Sequence, residues 1–334
     1  MILVAGHACI DLLPTLTTPL PAPGHLVGTG PLTMAGGGVV SNTGTALHRL
    51  GIPVRLVART GDDLLGACLR QIYASLHPSL AEHLVTVPGQ PTSYSVVLSP
   101  PGEDRRFLHC PGVNATFTTA DLTAAHFAGC SHLHFGYPTV MPSLYTDGGV
   151  ALAGIFAAAR RAGLSTSLDL CHPDAPALLA DWPELFATVL PHVDLFCPSD
   201  DELRVCLGAP NAAPEELLSI LLALGTSAVV IKRGHHGLVY RSADTSRWAP
   251  PDWARASASH PCYRVKVAGT TGSGDATIAG LLAGLHLRLP LDQALSLACA
   301  TGAACCERPD ATSGVPPLAE LQARLAEDWA TLPF

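Results

Sequence analysis

A glycine-rich turn at residues 267–276 is the part of this chain best suited to chemistry. It reads VAGTTGSGDA and leads directly into a small, apolar helical pattern. The first amides of a helix have no intrahelical partner, and the helix dipole adds partial positive charge there, so such a turn can bind a phosphate. Asp275 lies among those amides, which predicts that it stays ionised near neutral pH and can take a proton from a hydroxyl beside the phosphate. The pattern therefore indicates phosphoryl transfer with Asp275 as the catalytic base. The anion hole would consist of Gly272, Ser273 and Gly274.

Two other phosphate-binding motifs are missing from the sequence. No GxxxxGK[ST] segment occurs, and the first predicted strand, residues 2–5, is followed by a single glycine rather than by GxGxxG. The turn also allows a plainer interpretation, in which Ser273 or Asp275 caps an ordinary core helix. The turn alone does not decide between an anion site and a helix cap.

A second motif lies in the N-terminal part of the chain. Residues 37–42 read GGVVSN, and residues 269–275 read GTTGSGD. With these two segments the chain resembles the ribokinase/PfkB family of carbohydrate kinases, whose signatures are a GG-x-x-x-N segment and a DTTGAGD segment. Both occur in the expected order, and the resemblance covers almost the whole chain. It implies Mg²⁺-dependent transfer of the ATP γ-phosphoryl group to a sugar hydroxyl. A nucleoside kinase of the same fold and a ribokinase-like binding protein without activity are the alternatives.

The resemblance implies functions for residues outside the turn. The residues that would contact the sugar are Asp11, Gly37, Gly38, Asn42 and His109. The residues that would contact the nucleotide are Lys232, Gly234, Gly237 and Thr271. Glu202 would order magnesium and its waters, although Ser199 replaces the asparagine of the family's N-x-x-E motif. Structural alternatives exist: Asp11 could bind loop amides, Asn42 could cap a helix, and Lys232 could be a solvated cation at a strand end.

Two departures from the family pattern concern the ligands. Gly269 stands where the family's turn begins with an aspartate that helps to bind potassium, so we expect activity to be nearly independent of potassium. Residues 169–173 read DLCHP and lack the arginine of the D-x-N-x-R motif of relatives that act on sugar acids or fructose. Arg105 and Arg106 could still meet an anionic group of the substrate. The identity of the sugar stays open at this point.

Composition and charge narrow the function classes further. The chain has 334 residues and a net charge of −8, and without a basic patch it is not expected to bind nucleic acid. Glycines interrupt its longest apolar stretches and no basic leader precedes the first strand, which argues against a membrane span or a signal peptide. The eleven cysteines are odd in number and scattered, which predicts buried free thiols in a reducing compartment. We therefore expect a cytoplasmic enzyme whose partners are ATP and a sugar-like molecule.

Short apolar runs alternate with helical periods along the chain. The predicted strands are residues 2–5, 54–58, 132–135, 165–169, 194–196 and 228–232. The predicted helices include residues 142–162, 215–224, 276–287, 291–306 and 317–328. This order predicts one α/β domain over residues 1–334, with a doubly wound, mainly parallel sheet flanked by helices, which is the ribokinase-like architecture that the resemblance also implies.

A predicted β-hairpin interrupts this alternation. Residues 92–99 and 105–110 flank a turn at 100–104. By the resemblance, this region and an excursion after the first strand form a small β-sheet lid, with lid excursions at about 12–34 and 88–112. A lid would exclude water, which competes with the sugar for the phosphoryl group. We also expect the lid sheet to be the surface through which a homodimer forms.

Overall fold

The computed structural model describes residues 1–103 and 105–334. Asp104, in the predicted hairpin turn, lies outside the described residues. The strands, in chain order, are β1 (Ile2–Gly6), β2 (Cys9–Pro14), β3 (Leu32–Gly37), β4 (Val54–Gly61), β5 (Leu84–Val87), β6 (Tyr94–Leu98), β7 (Arg106–Cys110), β8 (His132–Gly136), β9 (Ser165–Asp169), β10 (Leu195–Phe196), β11 (Ala228–Lys232), β12 (Leu238–Ser242) and β13 (Ser257–His260). The helices are α1 (Gly38–Arg49), α2 (Leu64–Leu76), α3 (Ala124–Phe127), α4 (Val150–Arg161), α5 (Trp182–Val189), α6 (Asp200–Cys206), α7 (Pro214–Ala223), α8 (Ser273–His286), α9 (Leu291–Cys305) and α10 (Leu318–Ala326).

A large sheet organises the described part of the chain, with the strand order β13-β12-β11-β10-β9-β8-β1-β4-β5. The strands from β11 to β5 pair in parallel, whereas β12 and β13 extend the sheet in antiparallel fashion. Both faces of the sheet pack against apolar residues. Alternate residues of a strand point to opposite faces. Ile2 and Val4 of β1 belong to one hydrophobic cluster, and Leu3 and Ala5 belong to the other. The predicted ribokinase-like α/β architecture is confirmed.

A second, smaller sheet has the order β3-β2-β6-β7, and we call it the lid sheet. Its central strand β2 pairs in antiparallel fashion with β3 and in parallel with β6, which forms a hairpin with β7. The first lid excursion is wider than the predicted residues 12–34, since β2 begins at Cys9 and β3 continues to Gly37. The lid sheet is therefore anchored directly to the end of β1 and the start of α1.

Two sequence-based expectations about the chain's environment can be compared with the fold. Within residues 1–103 and 105–334, no helix combines the length and the apolar character that a bilayer crossing requires. All eleven cysteines are free thiols, as expected. Their full burial was expected too, but it holds only for Cys9, Cys197, Cys206, Cys299 and Cys305, whereas the others are partly exposed.

Candidate active site

The candidate site lies where several parallel strands end beside the lid sheet. Parallel strands present their carboxyl ends at one edge of a sheet, which is the usual place of ligands in open α/β folds. His7 follows β1, Tyr137 follows β8, Asp169 ends β9 and Lys232 ends β11. Helix α8 begins at the same edge, because a Cβ added at Gly274 would lie 3.5 Å from the Lys232 Nζ.

The glycine-rich turn has the geometry of a helix start with exposed amides. Its Gly272 has a φ of 73° and is the N-cap residue of α8, without a side chain to cap the helix. Ser273 bonds back to the Thr270 carbonyl oxygen through its amide, at 3.3 Å, and its hydroxyl, at 2.9 Å. The amides of Gly274 and Asp275 lack intrahelical partners by their position. The interpretation of Ser273 or Asp275 as the helix cap is therefore wrong.

Asp275 is almost fully buried, with an exposed fraction of 3%, and side chains from two other elements hold its carboxylate. Oδ2 accepts hydrogen bonds from the Asn42 Nδ2 at 3.0 Å and the Tyr137 hydroxyl at 2.8 Å, and Oδ1 accepts one from the Thr43 hydroxyl at 3.1 Å. Burial raises the pKa of Asp275, although Lys232 and these three donors oppose the shift. We expected helix amides to surround this carboxylate and keep it ionised. The donors that contact it are instead side chains, and the net result is a raised pKa.

Asp11 and Gly37 of the N-terminal motif lie together in the lid sheet, on its neighbouring strands β2 and β3. Burial raises the pKa of Asp11 from 3.8 to about 6, while hydrogen bonds from Cys9 and Ser95 oppose the shift. A Cβ added at Gly37 would lie 2.4 Å from both carboxylate oxygens of Asp11. The glycine therefore leaves space for this carboxylate.

Gly38 and Asn42 occupy the first two turns of α1. Gly38 has a φ of 81°, and a Cβ added there would lie 2.4 Å from the His7 Nδ1. Asn42 is the fifth residue of α1, so it does not cap the helix, and the N-cap residue is Gly37. The Asn42 Nδ2 is bound to Asp275, while its Oδ1 is buried with no partner among the described residues. This oxygen is suited to accept a hydrogen bond from a ligand hydroxyl.

His109 lies on β7 and faces into the site. Its Nδ1 is 3.0 Å from the Ser95 hydroxyl, and its Nε2 is 3.3 Å from the Nε2 of His7. Burial lowers the pKa values of both histidines, and their proximity lowers that of His7 further. Both imidazoles are therefore neutral near pH 7 and can accept or donate hydrogen bonds to hydroxyl groups.

Lys232 is buried and paired with a carboxylate. Its Nζ lies 2.7 Å from the Asp169 Oδ1, and 9% of the residue is exposed. Burial by itself would lower the pKa of Lys232, but the carboxylates of Asp169 and Glu202 raise it above its usual value. The interpretation of Lys232 as a solvated strand-end cation is therefore wrong, and the ammonium group carries its charge at the start of α8.

The glycine-rich turn at residues 267–276, which we call the phosphate turn, borders a cavity of about 260 Å³. The cavity extends from this turn to the β11–β12 connection. Lys232, Gly234 and Gly237 line it on one side and Ser273 and Gly274 on another, which brings the predicted nucleotide residues together. Thr271 is the exception, because it lines the neighbouring cavity that contains Asp11. The sequence could not distinguish the two sides of this turn.

The geometry agrees with the comparison to known proteins. The sequence profile of pfkB family carbohydrate kinases matches residues 1–318. The chain belongs to this family. It is a carbohydrate kinase, a phosphotransferase with an alcohol group as acceptor.

Relatives and solved structures cover nearly the whole of this pfkB family kinase. A fructokinase from Rhizobium leguminosarum bv. trifolii is 28% identical over 291 residues, which are 86% of this chain and 80% of the relative. A ribokinase from Thermotoga maritima has a TM-score of 0.77 and 20% identity, covering 97% of this chain and 99% of that one. A candidate ribokinase II from E. coli, solved with ATP and Mg²⁺, has a TM-score of 0.76 and 21% identity, covering 98% and 99%. These structures share the fold.

Glu202 of the kinase stands beside the charged centre but makes a structural contact. It forms a capping box at the start of α6, where its Oε2 accepts from the Ser199 amide at 2.7 Å. Its charge contributes to the raised pKa of Lys232, which places it near the phosphate turn. The described residues contain no cluster of three metal ligands.

Several residues of the kinase site escaped the sequence analysis. Thr43 and Tyr137 contact Asp275, and Asp169 pairs with Lys232, across separations that no local pattern encodes. Arg105 of the lid hairpin donates to the hydroxyls of Thr270, at 3.1 Å, and Thr271. The sequence analysis had considered Arg105 only as a contact for the substrate.

Proposed function

We propose that this kinase transfers the γ-phosphoryl group of ATP to a hydroxyl group of a neutral sugar, with Asp275 as the base. The observation that carries the proposal is the position of the Asp275 carboxylate. It is buried, held by Asn42, Thr43 and Tyr137, and lies in the first turn of α8, which begins beside the Lys232 ammonium.

The proposed reaction is an in-line displacement. The sugar hydroxyl donates to Asp275 and attacks the γ-phosphorus, so that a new O–P bond forms as the bond to the β,γ-bridging oxygen breaks. The hydroxyl proton passes to Asp275, whose raised pKa makes its carboxylate a stronger base than an exposed aspartate. The Lys232 ammonium and the amides of the turn at residues 272–275, of which those of Gly274 and Asp275 have no intrahelical partner, balance the negative charge on the transferring group.

The sugar is proposed to lie between α1 and the lid sheet. Asp11 and the Asn42 Oδ1 accept hydrogen bonds from its hydroxyls, and His109 closes the site from the lid. A neutral sugar is favoured because the lid arginines already contact the protein. Arg105 bonds to the phosphate turn, and Arg106 pairs with Glu103 on the surface.

Two cations enter the proposal differently. Mg²⁺ would neutralise the phosphates, with Glu202 ordering its water shell and the turn amides holding the phosphate oxygens. Potassium has no comparable place, because Gly269 supplies no carboxylate to the phosphate turn.

The lid sheet is also proposed as the contact surface of a homodimer. Its strands expose the apolar side chains of Leu32, Met34, Phe107 and Leu108, each about half accessible to solvent. Apolar side chains grouped on one small sheet favour association with a like surface. Light scattering of the purified protein would establish the mass in solution.

The direct test is a phosphoryl-transfer assay with MgATP and a panel of acceptors. Fructose, ribose, a hexonic acid and adenosine would each be incubated with the enzyme, and the products identified by ³¹P NMR. The proposal expects a phosphomonoester of a neutral sugar and stoichiometric ADP. Phosphorylation of adenosine alone, or no acceptor-dependent ADP formation with any sugar, would contradict it.

A further inference from the structure

Residues 329–334, which belong to none of the motifs, form part of the wall of the cavity assigned to the nucleotide. Leu332 lines the same cavity as Lys232 and Gly274. Leu332 is partly buried, whereas its neighbour Thr331 is exposed. Neighbouring side chains of an extended segment point to opposite sides, so Leu332 faces the cavity and Thr331 faces away from it.

Backbone pairing fixes the segment in this position. The Leu332 amide donates to the Cys262 carbonyl oxygen at 2.8 Å, and the Arg264 amide donates to the Ala330 carbonyl oxygen at 2.8 Å. These two bonds flank an antiparallel bridge. The segment is thus paired through a single antiparallel bridge with residues 262–264, of which Cys262 and Tyr263 line the cavity.

Side chains reinforce the pairing at the start of the segment. The Trp329 Nε1 donates to the Arg264 carbonyl oxygen at 2.9 Å, and the Arg324 guanidinium lies 3.7 Å from the centre of the Trp329 indole ring. Arg324 also makes two bonds to Glu307, at 2.9 and 3.1 Å. Since Glu307 follows Cys306, another cavity-lining residue, the segment is tied to two walls of the cavity.

The other end of the segment reaches the connection after β11. The Phe334 ring lies 5.6 Å from the guanidinium of Arg233, which stands between Lys232 and Gly234. Residues 329–334 therefore span from one side of the cavity to the other.

The cavity has two chemically different kinds of lining. Lys232, Thr270 and Ser273 supply polar groups, the last two from the phosphate turn. Apolar surface comes from Leu332, Cys262, Val265, Val267, Cys299 and Ala303, and the Leu332 amide bonds directly to Cys262. A nucleotide whose phosphates lie at the turn would pack its planar base against this apolar surface, where burial of its ring faces favours binding.

We propose that residues 329–334 are part of the nucleotide-binding site and that Leu332 packs against the base of ATP. The inference rests on the proposed function only in taking this cavity as the nucleotide site. It adds a determinant of nucleotide affinity that acts on the base and leaves the phosphates and the sugar untouched.

The test compares Leu332→Asp and Leu332→Ala with the matched control Thr331→Asp in the full chain. Thr331→Asp adds the same charge one residue away, on the exposed face. Calorimetry would measure binding of MgATP and of magnesium tripolyphosphate, which has the phosphates but no base. We expect Leu332→Asp to weaken MgATP binding by about tenfold or more and Leu332→Ala by roughly threefold to tenfold. Thr331→Asp should stay within about twofold of the unmodified protein.

Tripolyphosphate binding separates the contribution of the base to affinity from that of the phosphates. It also shows whether the site of each variant is folded. We expect it to be the same in all four proteins. Unchanged MgATP affinity in both Leu332 variants, or equal losses of MgATP and tripolyphosphate binding in Leu332→Ala, would overturn the inference. If the unmodified protein binds MgATP with this dependence on Leu332 but phosphorylates no sugar, the proposed function fails and the inference stands.

Discussion

At the scale of single residues, Asp11 combines a binding role with a destabilising burial. Its pKa is raised from 3.8 to about 6 by burial, so the folded state resists its ionisation. As pH rises from below 3.8 to above 6, the unfolded chain releases this proton first, and the folded state loses roughly 1–3 kcal/mol of stability. A carboxylate kept at this cost is better explained by ligand binding than by stability.

Replacing Asp11 with asparagine is therefore expected to stabilise the fold and to weaken sugar binding. Asp11→Asn should increase the free energy of unfolding at pH 7 and raise the sugar KM by about tenfold or more, because the charged acceptor is lost. Urea unfolding at pH 7 and pH 4 would measure the first effect. The gain should shrink at pH 4, where the carboxyl group is protonated in the folded state and about half protonated in the unfolded chain. A variant less stable than the parent at pH 7 would contradict this account.

Tyr137 is a positioning residue whose effect should show in the pH profile. Its hydroxyl donates to the Asp275 Oδ2 at 2.8 Å and so favours the ionised carboxylate. Tyr137→Phe removes this bond, and we expect the acidic limb of the kcat profile to move up by about one pH unit. Tyr240→Phe is the matched control, since it removes a buried hydroxyl bonded to Trp253 far from the site. A profile unchanged in Tyr137→Phe would refute the positioning role.

The glycine-rich turn at the start of α8 could be predicted from sequence, but the side chains that contact its residues could not. The glycine-rich turn marks Asp275 by local spacing alone. Asn42 and Thr43, by contrast, reach Asp275 from 233 and 232 positions away, and the Asp169–Lys232 pair joins the ends of different strands. Such contacts depend on how α1 packs against α8 and on strand order, which single-sequence patterns do not encode.

At the scale of elements, the lid hairpin is fastened to the phosphate turn. Arg105 donates to the hydroxyls of Thr270 and Thr271, and this contact closes the site on the side of Asp11. We expect Arg105→Met to open the lid, raising the sugar KM roughly tenfold, from about 1.5 kcal/mol of lost hydrogen bonding. ATP hydrolysis relative to sugar phosphorylation should rise, since water enters more readily.

Arg106→Met provides the control for this lid variant. Arg106 lies next in the chain, and among the contacts described for it, it pairs only with the partly exposed Glu103. Its loss should therefore change little in the sugar KM or in the rate of ATP hydrolysis relative to sugar phosphorylation. Equal effects of the two substitutions would show that general charge, rather than the Arg105 bridge, controls the lid.

The phosphate turn itself carries the prediction about potassium. A Cβ added at Gly269 would lie 2.9 Å from the backbone of Pro309, so a side chain fits poorly at this position. Asp310, a nearby carboxylate, is engaged by the amides of Thr312 and Ser313 at 3.0 and 2.7 Å. We expect turnover to differ by less than about twofold between potassium and tetramethylammonium at constant ionic strength. Strong, saturable activation by potassium would refute this, and loss of that activation in Asp310→Asn would identify the replacement ligand.

The bounds of the strands and helices show where local sequence patterns were sufficient to predict secondary structure. The predicted strands at 165–169 and 228–232 agree with β9 and β11. Strand β11 reads AVVIK, the apolar run typical of a buried parallel strand, whereas β9 reads STSLD and is buried despite its polar side chains. The predicted helix at 142–162 was too long, since α4 begins only at Val150. Gly148 and Gly149 have φ values of 69° and 84°, which no helix accommodates. The edge strand β13 was missed because its sequence, SASH, has no apolar alternation.

At the scale of the whole molecule, the site is assembled from both ends of the chain. Strand β2 and helix α1 supply the proposed sugar contacts, β11 and α8 supply the proposed phosphate contacts, and Asn42 of α1 bonds to Asp275 of α8. The alternation of strands and helices predicted this parallel sheet, because short right-handed connections leave few other arrangements. The position of the lid over the turn followed only from the resemblance, since hairpin patterns do not say where a hairpin docks.

The measurement that tests the central claim most directly is sugar phosphorylation by Asp275→Asn, made alongside MgATP affinity. Asparagine keeps the shape of the side chain but cannot take the hydroxyl proton. We predict that kcat at saturating sugar and MgATP falls by at least about 10²–10⁴-fold, while MgATP affinity is retained. Turnover close to that of the unmodified enzyme would show that another group accepts the proton and would contradict the proposed mechanism.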